Sequence, residues 1–188
     1  MPRRSATATI ITVDNYYRPF NELNMPSKTP GQRLSDEAIR AMHQKDFDVL
    51  ESLLTPYTVD LKDGSGRALL SKMVVFGDAH MIEWMLAKQP SLDISDNNGW
   101  TALHFAAQSH DVEVAKKLLR AGATVDTQDS YGNTPLWRAT FESRGRGEMI
   151  KFLLANGANA TLKNHSGSSP LELANTIANF DVKQFFPV

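Results

Sequence analysis

The chain has 188 residues, 41% hydrophobic and 22% charged, and its 20 basic and 21 acidic side chains leave a formal net charge of −1. That balance excludes a general pull toward nucleic acid or acidic membranes. The absence of cysteine excludes disulfides, cysteine-based metal sites and a cysteine nucleophile. No apolar run approaches the roughly 20 residues that span a bilayer. The stretch Ala6 to Val13 is short and broken by three threonines, a poor signal segment, so the expected location is cytoplasmic.

Residues 1–33 read as an irregular N-terminal arm. Ile10-Ile-Thr-Val13 has strand character, Tyr16, Tyr17 and Phe20 add aromatics, and Pro26, Pro30 and Gly31 interrupt any regular element near the arm's end. The arm either packs on the first helix pair or pairs with a partner. Ser35 to Leu54 then reads as a helix pair with Ser35 as cap. The acidic pairs Asp36 with Glu37 and Asp46 with Asp48 are expected at helix starts, where the backbone dipole favours negative charge.

From residue 63 onward three landmarks recur. An Asp or Asn stands three positions before a glycine at Asp63–Gly66, Asp96–Gly99, Asp129–Gly132 and Asn164–Gly167, so the glycines step by 33, 33 and 35. Such a pair opens and closes a tight turn, because the short side chain bonds forward to the backbone and glycine accepts positive φ. Thr101-Ala-Leu-His-Phe-Ala-Ala107 returns as Thr134-Pro-Leu-Trp-Arg-Ala-Thr140. Thr101, Thr134 and Ser169 suit helix caps, and Pro135 and Pro170 suit the first helical position. Apolar pairs at Leu53-Leu54, Met85-Leu86, Leu118-Leu119 and Leu153-Leu154 mark a second helix late in each unit. Gly122 and Gly157 end that helix. The two extra residues of the last step fall in Ser143 to Gly147.

A period in this range marks a stack of units, none of which buries its apolar face alone. The motif Asp-x-x-Gly-x-Thr-x-Leu-His at Asp96 to His104 resembles the ankyrin repeat family. The resemblance implies an all-α solenoid of helix-turn-helix units joined by β-turn or hairpin loops. About 4–5 units are expected over residues 34–188, at roughly 34–62, 63–95, 96–128, 129–163 and 164–188, with degenerate ends. It implies a structural role for His104 in bonding neighbouring turns. The chain departs from the pattern at Trp137, where the family has histidine, at His110, where it has glycine, and at Ala68 to Ser71, which lacks both Thr and His.

Signals of chemistry are sparse. His43, His80, His104, His110 and His165 form no metal-spaced pair. Arg144-Gly-Arg-Gly147 lacks the Lys-Ser/Thr of a phosphate loop, and no serine sits in a nucleophile elbow. No catalytic, cofactor or metal residue is assigned. Trp84, Trp137 and most methionines are expected in the core.

The resemblance places turn tips and late first-helix positions on a concave face. The partner-binding candidates are Arg67, Phe76, Asn97, Asn98, Trp100, Gln108, Tyr131, Asn133 and Phe141, with Val75 beside Phe76. Aromatic side chains near arginine are the usual composition of binding hot spots. The expected function is therefore non-enzymatic: a monomer binding a partner protein through that face, as inhibitor or adaptor. The alternatives are an immunity protein neutralising a bacterial toxin, an enzyme with an unrecognised site, and a weak nucleic-acid binder using Arg138, Arg144, Arg146 and Lys151.

Overall fold

The computed structural model describes residues 30–55 and 59–186. The expected arm is therefore outside the described residues up to position 29. Its last residues are not irregular: Pro30 opens helix α1, Pro30–Gln44. A proline lacks only an N–H that the first helical turn leaves unbonded anyway, so it starts this helix where a break was expected. Ser35 consequently does not cap. It lies inside α1, buried, with its Oγ donating 2.8 Å to the Lys62 carbonyl. Asp36 and Glu37 likewise sit within the helix rather than at its start.

Eight further helices follow among the described residues: α2 Phe47–Leu53, α3 Leu69–Phe76, α4 Ala79–Leu86, α5 Ala102–Ser109, α6 Val112–Arg120, α7 Pro135–Phe141, α8 Glu148–Ala155 and α9 Pro170–Thr176. A short 3-10 turn at Lys183–Phe185 stands where a second helix would complete the last unit. Odd-numbered helices pack side by side in one layer, α3 on α5, α5 on α7 and α7 on α9, while α4, α6 and α8 form a looser outer layer. Fully buried Ala106, Ala107 and Ala139 keep the inner helices close, and Leu103, Leu118, Leu136, Ile150 and Leu153 fill the space between layers. Met42, Met73, Met81, Met85 and Met149 belong to the same core.

Local signals explain the boundaries. Asp46, Asp78 and Asp111 cap α2, α4 and α6 by accepting from Val49, Met81 and Val114 amides. Thr134 and Ser169 cap α7 and α9 from Trp137 and Glu172 amides. The Ala68 cap of α3 makes no such bond, as its missing threonine implies.

The turns carry the period. In each of the four, one Asx oxygen accepts two backbone N–H groups: Asp63 from Ser65 and Arg67, Asp96 from Asn98 and Trp100, Asp129 from Tyr131 and Asn133, and Asn164 from Ser166 and Ser168. Each turn then donates to the one before it, Asn97 N to Ser65 O, Ser130 N to Asn98 O and His165 N to Tyr131 O, all at 2.9 Å. This close stacking explains the turn glycines. A Cβ on Gly99 would stand 2.6 Å from Ser130 N, whereas Gly167, at the end of the ladder, has nothing within 4 Å.

A second ladder runs along the outer loops. Asp60 accepts from Ser91 N, Asp93 from Thr124 N and Asp126 from Asn159 N, at 2.9 to 3.1 Å. The aspartates recur every 33 residues. They lie outside the three landmarks that mark each unit in the sequence.

Candidate functional site

The residue after each turn glycine and the residue one helical turn into the following inner helix share one surface. These are Arg67 and Lys72 in the first marked unit, Trp100 and Phe105 in the next, then Asn133 and Arg138. The rings of Trp100 and Phe105 lie 5.0 Å apart. Arg67, from the unit before, places its guanidinium 4.4 Å from the Phe105 centroid, and Arg138, from the unit after, sits 4.4 Å from the Trp100 centroid. Two cations from flanking units thus clamp one aromatic pair, an arrangement worth on the order of 1 kcal/mol per contact at partly buried sites.

The same cations face the turn carboxylates. Arg138 Nη2 donates 2.5 Å to Asp129 Oδ2, whose side chain is wholly buried. Burial pushes the Asp129 carboxyl up, but Arg138 and the Asn133 and Tyr131 amides outweigh it and hold the group below its ordinary range. Asp63, opposed by burial but bonded by Lys72 at 2.7 Å, by Ser65 and by two backbone amides, is lowered to about 2. Arg67 stands 3.8 Å from Asp96 Oδ2. Each Asp turn is therefore held ionised or faced by one positive side chain.

Around this clamp the surface is apolar and uncovered. Tyr131 is 66% exposed at its turn tip, Phe141 and Val75 are 55% exposed at the ends of α7 and α3, and Phe76 is 41% exposed. Phe141 lies nearly parallel to Trp137, with centroids 5.3 Å apart and an interplanar angle of 12°. Phe76 meets His43 edge-on at 5.4 Å. A cleft of about 170 Å³ opens between α1 and α3, lined by Met42, His43, Arg67, Lys72, Val75 and Phe76.

The candidates from the sequence divide into two groups. Asn97, Asn98, Gln108, Tyr131 and Phe141 are exposed, and Phe76 with them. Trp100 is half-buried inside the clamp, stacked also on His104. Arg67 is partly covered by the same clamp. Asn133 does not contribute to a polar rim: it is buried, its Oδ1 accepting 2.8 Å from Asn164 Nδ2. That bond ties its turn to the next one, a link that Trp137 cannot make. Where His104 reaches Asn133 O at 3.1 Å across the preceding interface, the Trp137 Nε1 is buried without a partner among the described residues. Trp137 itself is half-buried against Phe141 and Arg138 rather than in the core, because the indole is too large for the histidine slot. Trp84 is also half-buried, wedged between Phe47 and Lys88.

Several of the remaining chemistry-bearing groups contact other parts of the chain. Burial lowers the His104 pKa, despite the favourable Asn133 carbonyl. His110 has φ +57, and neither ring nitrogen makes a hydrogen bond of good geometry. Burial, then Arg146, lower its pKa. His80 meets Phe47 edge-on. Of the basic residues near the long loop, Arg146 bonds the Ser143 carbonyl, Lys151 lies over Phe185, and Arg138 is held by Asp129. None of the described helices is long and apolar enough to cross a membrane.

The ladder of Asx turns and paired helices has clear relatives. The family model for ankyrin repeats (3 copies) matches residues 38–129 and 70–164. The chain is 28% identical over 156 residues, 82% of its length, to human SH3 and multiple ankyrin repeat domains protein 2, of which it covers 8%. It is 38% identical over 102 residues, 53% of its length, to the Drosophila melanogaster neurogenic locus Notch protein, covering 4% of it. With a putative ankyrin repeat-containing protein of Treponema pallidum it shares 34% identity over 114 residues, 60% of this chain and 38% of that one. The chain thus spans well under half the length of each of these relatives. Ankyrin repeats are in general protein–protein interaction modules. On the motif, the turn ladder and the family match together, the chain belongs to the ankyrin repeat family.

Proposed function

We propose that this chain binds another protein through the face made by its turns and inner helices, without catalysis, and acts by occupying that partner as an inhibitor or adaptor. One observation carries the reading: Tyr131 and Phe141 are large and exposed, and each stands on backbone or ring contacts that fix its place in the stack. Tyr131 stands on a turn whose aspartate bonds both of its amides, and Phe141 rests on the Trp137 ring. A turn backbone and a stacked Phe141 ring already fixed in place lose little conformational entropy on binding. The exposed Asn97, Asn98 and Gln108 supply a polar margin.

The test is comparative capture. Immobilised chain and a Tyr131→Ser, Phe141→Ser double variant with an unchanged melting temperature are exposed to the same extract of the source cells. A protein retained at least about tenfold less by the variant supports the face, a loss consistent with two hot-spot truncations. Equal retention by both overturns it.

A further inference from the structure

Among the described residues of this surface, the Arg67 guanidinium has no close acceptor. Arg67 lies 3.8 Å from Asp96 Oδ2, beyond hydrogen-bonding distance, and its Nε is buried with no partner among the described residues. Asp96 is fixed in its turn, since its Oδ1 accepts from the Asn98 and Trp100 amides at 2.9 Å. The other two cations of this surface differ. Arg138 also has a buried, unpartnered Nε, but its Nη2 donates to Asp129, and Lys72 is 2.7 Å from Asp63. The terminal nitrogens of Arg67, on a side chain 27% exposed, make no short bond of the kind that holds Arg138 and Lys72, so Arg67 is the cation of this surface open to a further acceptor.

Arg67 and Lys72 are the basic residues lining the cleft between α1 and α3, Met42, Val75 and Phe76 its apolar ones, and His43 lines it beside Phe76. Val75 and Phe76 remain largely exposed there. A cation and an apolar wall within one space about the size of a side chain select a ligand that is acidic on one side and greasy on the other. We propose that this cleft is a specificity subsite for an acidic–apolar pair in a partner protein. An Asp or Glu carboxylate completes the guanidinium of Arg67, and the neighbouring large apolar residue packs on Val75 and Phe76. The planar carboxylate fits the guanidinium fork with two oxygens, which a single-point acceptor cannot do. The proposal rests on the protein-binding reading of this face and adds the chemistry of what one end of it recognises.

The experiment uses the full chain and two probes, acetyl-Gly-Leu-Glu-Leu-Gly-amide and the same peptide with Gln for Glu. Side-chain resonances of Arg67 Nε–H, Val75 and Phe76 are followed by NMR during titration. The acidic peptide should shift all three, with a Kd on the order of millimolar for so small a ligand, and the Gln peptide should bind about tenfold more weakly. Arg67→Gln should abolish the difference. Val75→Glu, which places a carboxylate in the cleft while leaving Arg67 over Phe105, should compete and weaken the acidic peptide similarly. Equal shifts with both peptides, no shifts, or equal shifts with inorganic phosphate overturn the subsite. So do contacts from Tyr16 or Phe20 to Phe76 in the free chain, or shifts that depend on chain concentration, which assign the cleft to the chain's own arm or to a second copy. Partner capture that is lost with Tyr131 and Phe141 but unchanged by Arg67→Gln removes the subsite and keeps the binding face. Capture insensitive to both sets removes the face itself.

Discussion

Arg138 touches Trp100 and Asp129 at once: its guanidinium lies 4.4 Å from the indole centroid while its Nη2 bonds the buried carboxylate. One side chain thus joins an aromatic of the preceding unit to the turn of its own. Arg138→Ala strands the Asp129 charge in a site with no solvent exposure of the side chain and should cost about 3 kcal/mol. Arg138→Lys keeps the charge but loses the planar stack and should cost about 1 kcal/mol. Urea unfolding followed by tryptophan fluorescence measures both. Equal losses would mean the positive charge alone contributes nothing without the fork and stack, and a lysine variant as stable as the parent would mean the fork and stack add nothing beyond charge.

The clamp also separates Trp100 from the exposed aromatics. Trp100→Ala removes contacts to Phe105, His104 and Arg138 and should lower stability by about 2 kcal/mol or more. Tyr131→Ala should change it by no more than about 0.5 kcal/mol, and Phe141→Ala, which gives up one ring stack, by about 1 kcal/mol. A thermal denaturation series ranks the three, and a Tyr131 variant as unstable as Trp100→Ala would contradict the placement of Tyr131 at a free tip.

Two turn glycines with the same φ make a controlled pair. Gly99 and Gly167 have φ of +80 and +78, but only Gly99 has the next turn against it. Gly167→Ala should cost about 1 kcal/mol for the left-handed backbone alone. Gly99→Ala adds a collision with the backbone of Asp129 and Ser130 and should cost at least about 3 kcal/mol. Chemical denaturation of the two variants isolates the stacking contribution as the difference between them.

Stability should fall as pH drops below neutral. His104 and His110 both have values lowered beneath 6.5, so below that value the unfolded chain binds more protons than the folded one. Their contribution is complete above about pH 6.5 and declines below it, by up to about 1.4 kcal/mol per pH unit for each histidine. Asp63, lowered to about 2 from 3.8, adds a second loss only between about pH 4 and 2, of about 1 kcal/mol for a group partly open to solvent. Asp126, raised by burial, has the opposite sign and offsets part of the acid loss near its own titration. His110→Gly removes one titration and relieves the left-handed strain, so it should raise stability at pH 7.5 by about 1 kcal/mol and flatten the decline between pH 6.5 and 5. Melting temperatures across that range test it, and a glycine variant that melts lower than the parent would show that His110 is not strained.

Much of the architecture was legible because it is written locally. Thr134 and Ser169, Pro135 and Pro170, and the Asx-to-Gly turns act within four residues of themselves, and repetition at 33 residues multiplies a weak signal. The start of α1 was not legible, since Pro30 serves equally as a breaker or as a first helical residue. Its role depends on whether the chain after it packs, and Ser35 and Met42 pack against later units. The outer aspartates show how a long-range bond escapes notice: Asp60, Asp93 and Asp126 each accept from a residue more than 30 positions later, and nothing beside them in sequence announces the partner.

The exposed face shows the same division. The repeat placed Tyr131, Phe141, Asn97, Asn98 and Gln108 at outward positions, because outwardness follows from register within a unit. It could not separate Trp100 or Asn133 from them. Whether those two face solvent or a neighbour depends on what Arg67, Arg138 and Asn164 do from adjoining units, and that is settled only when the units are stacked. The repeat, its caps and its turn chemistry could be read from the residues alone, because they are short-range properties of the chain. Which aromatics are clamped, which remain free, and where a guanidinium lacks a short bond emerge once the units are stacked. Those outcomes arise from cation–aromatic and carboxylate distances between units that no single period contains.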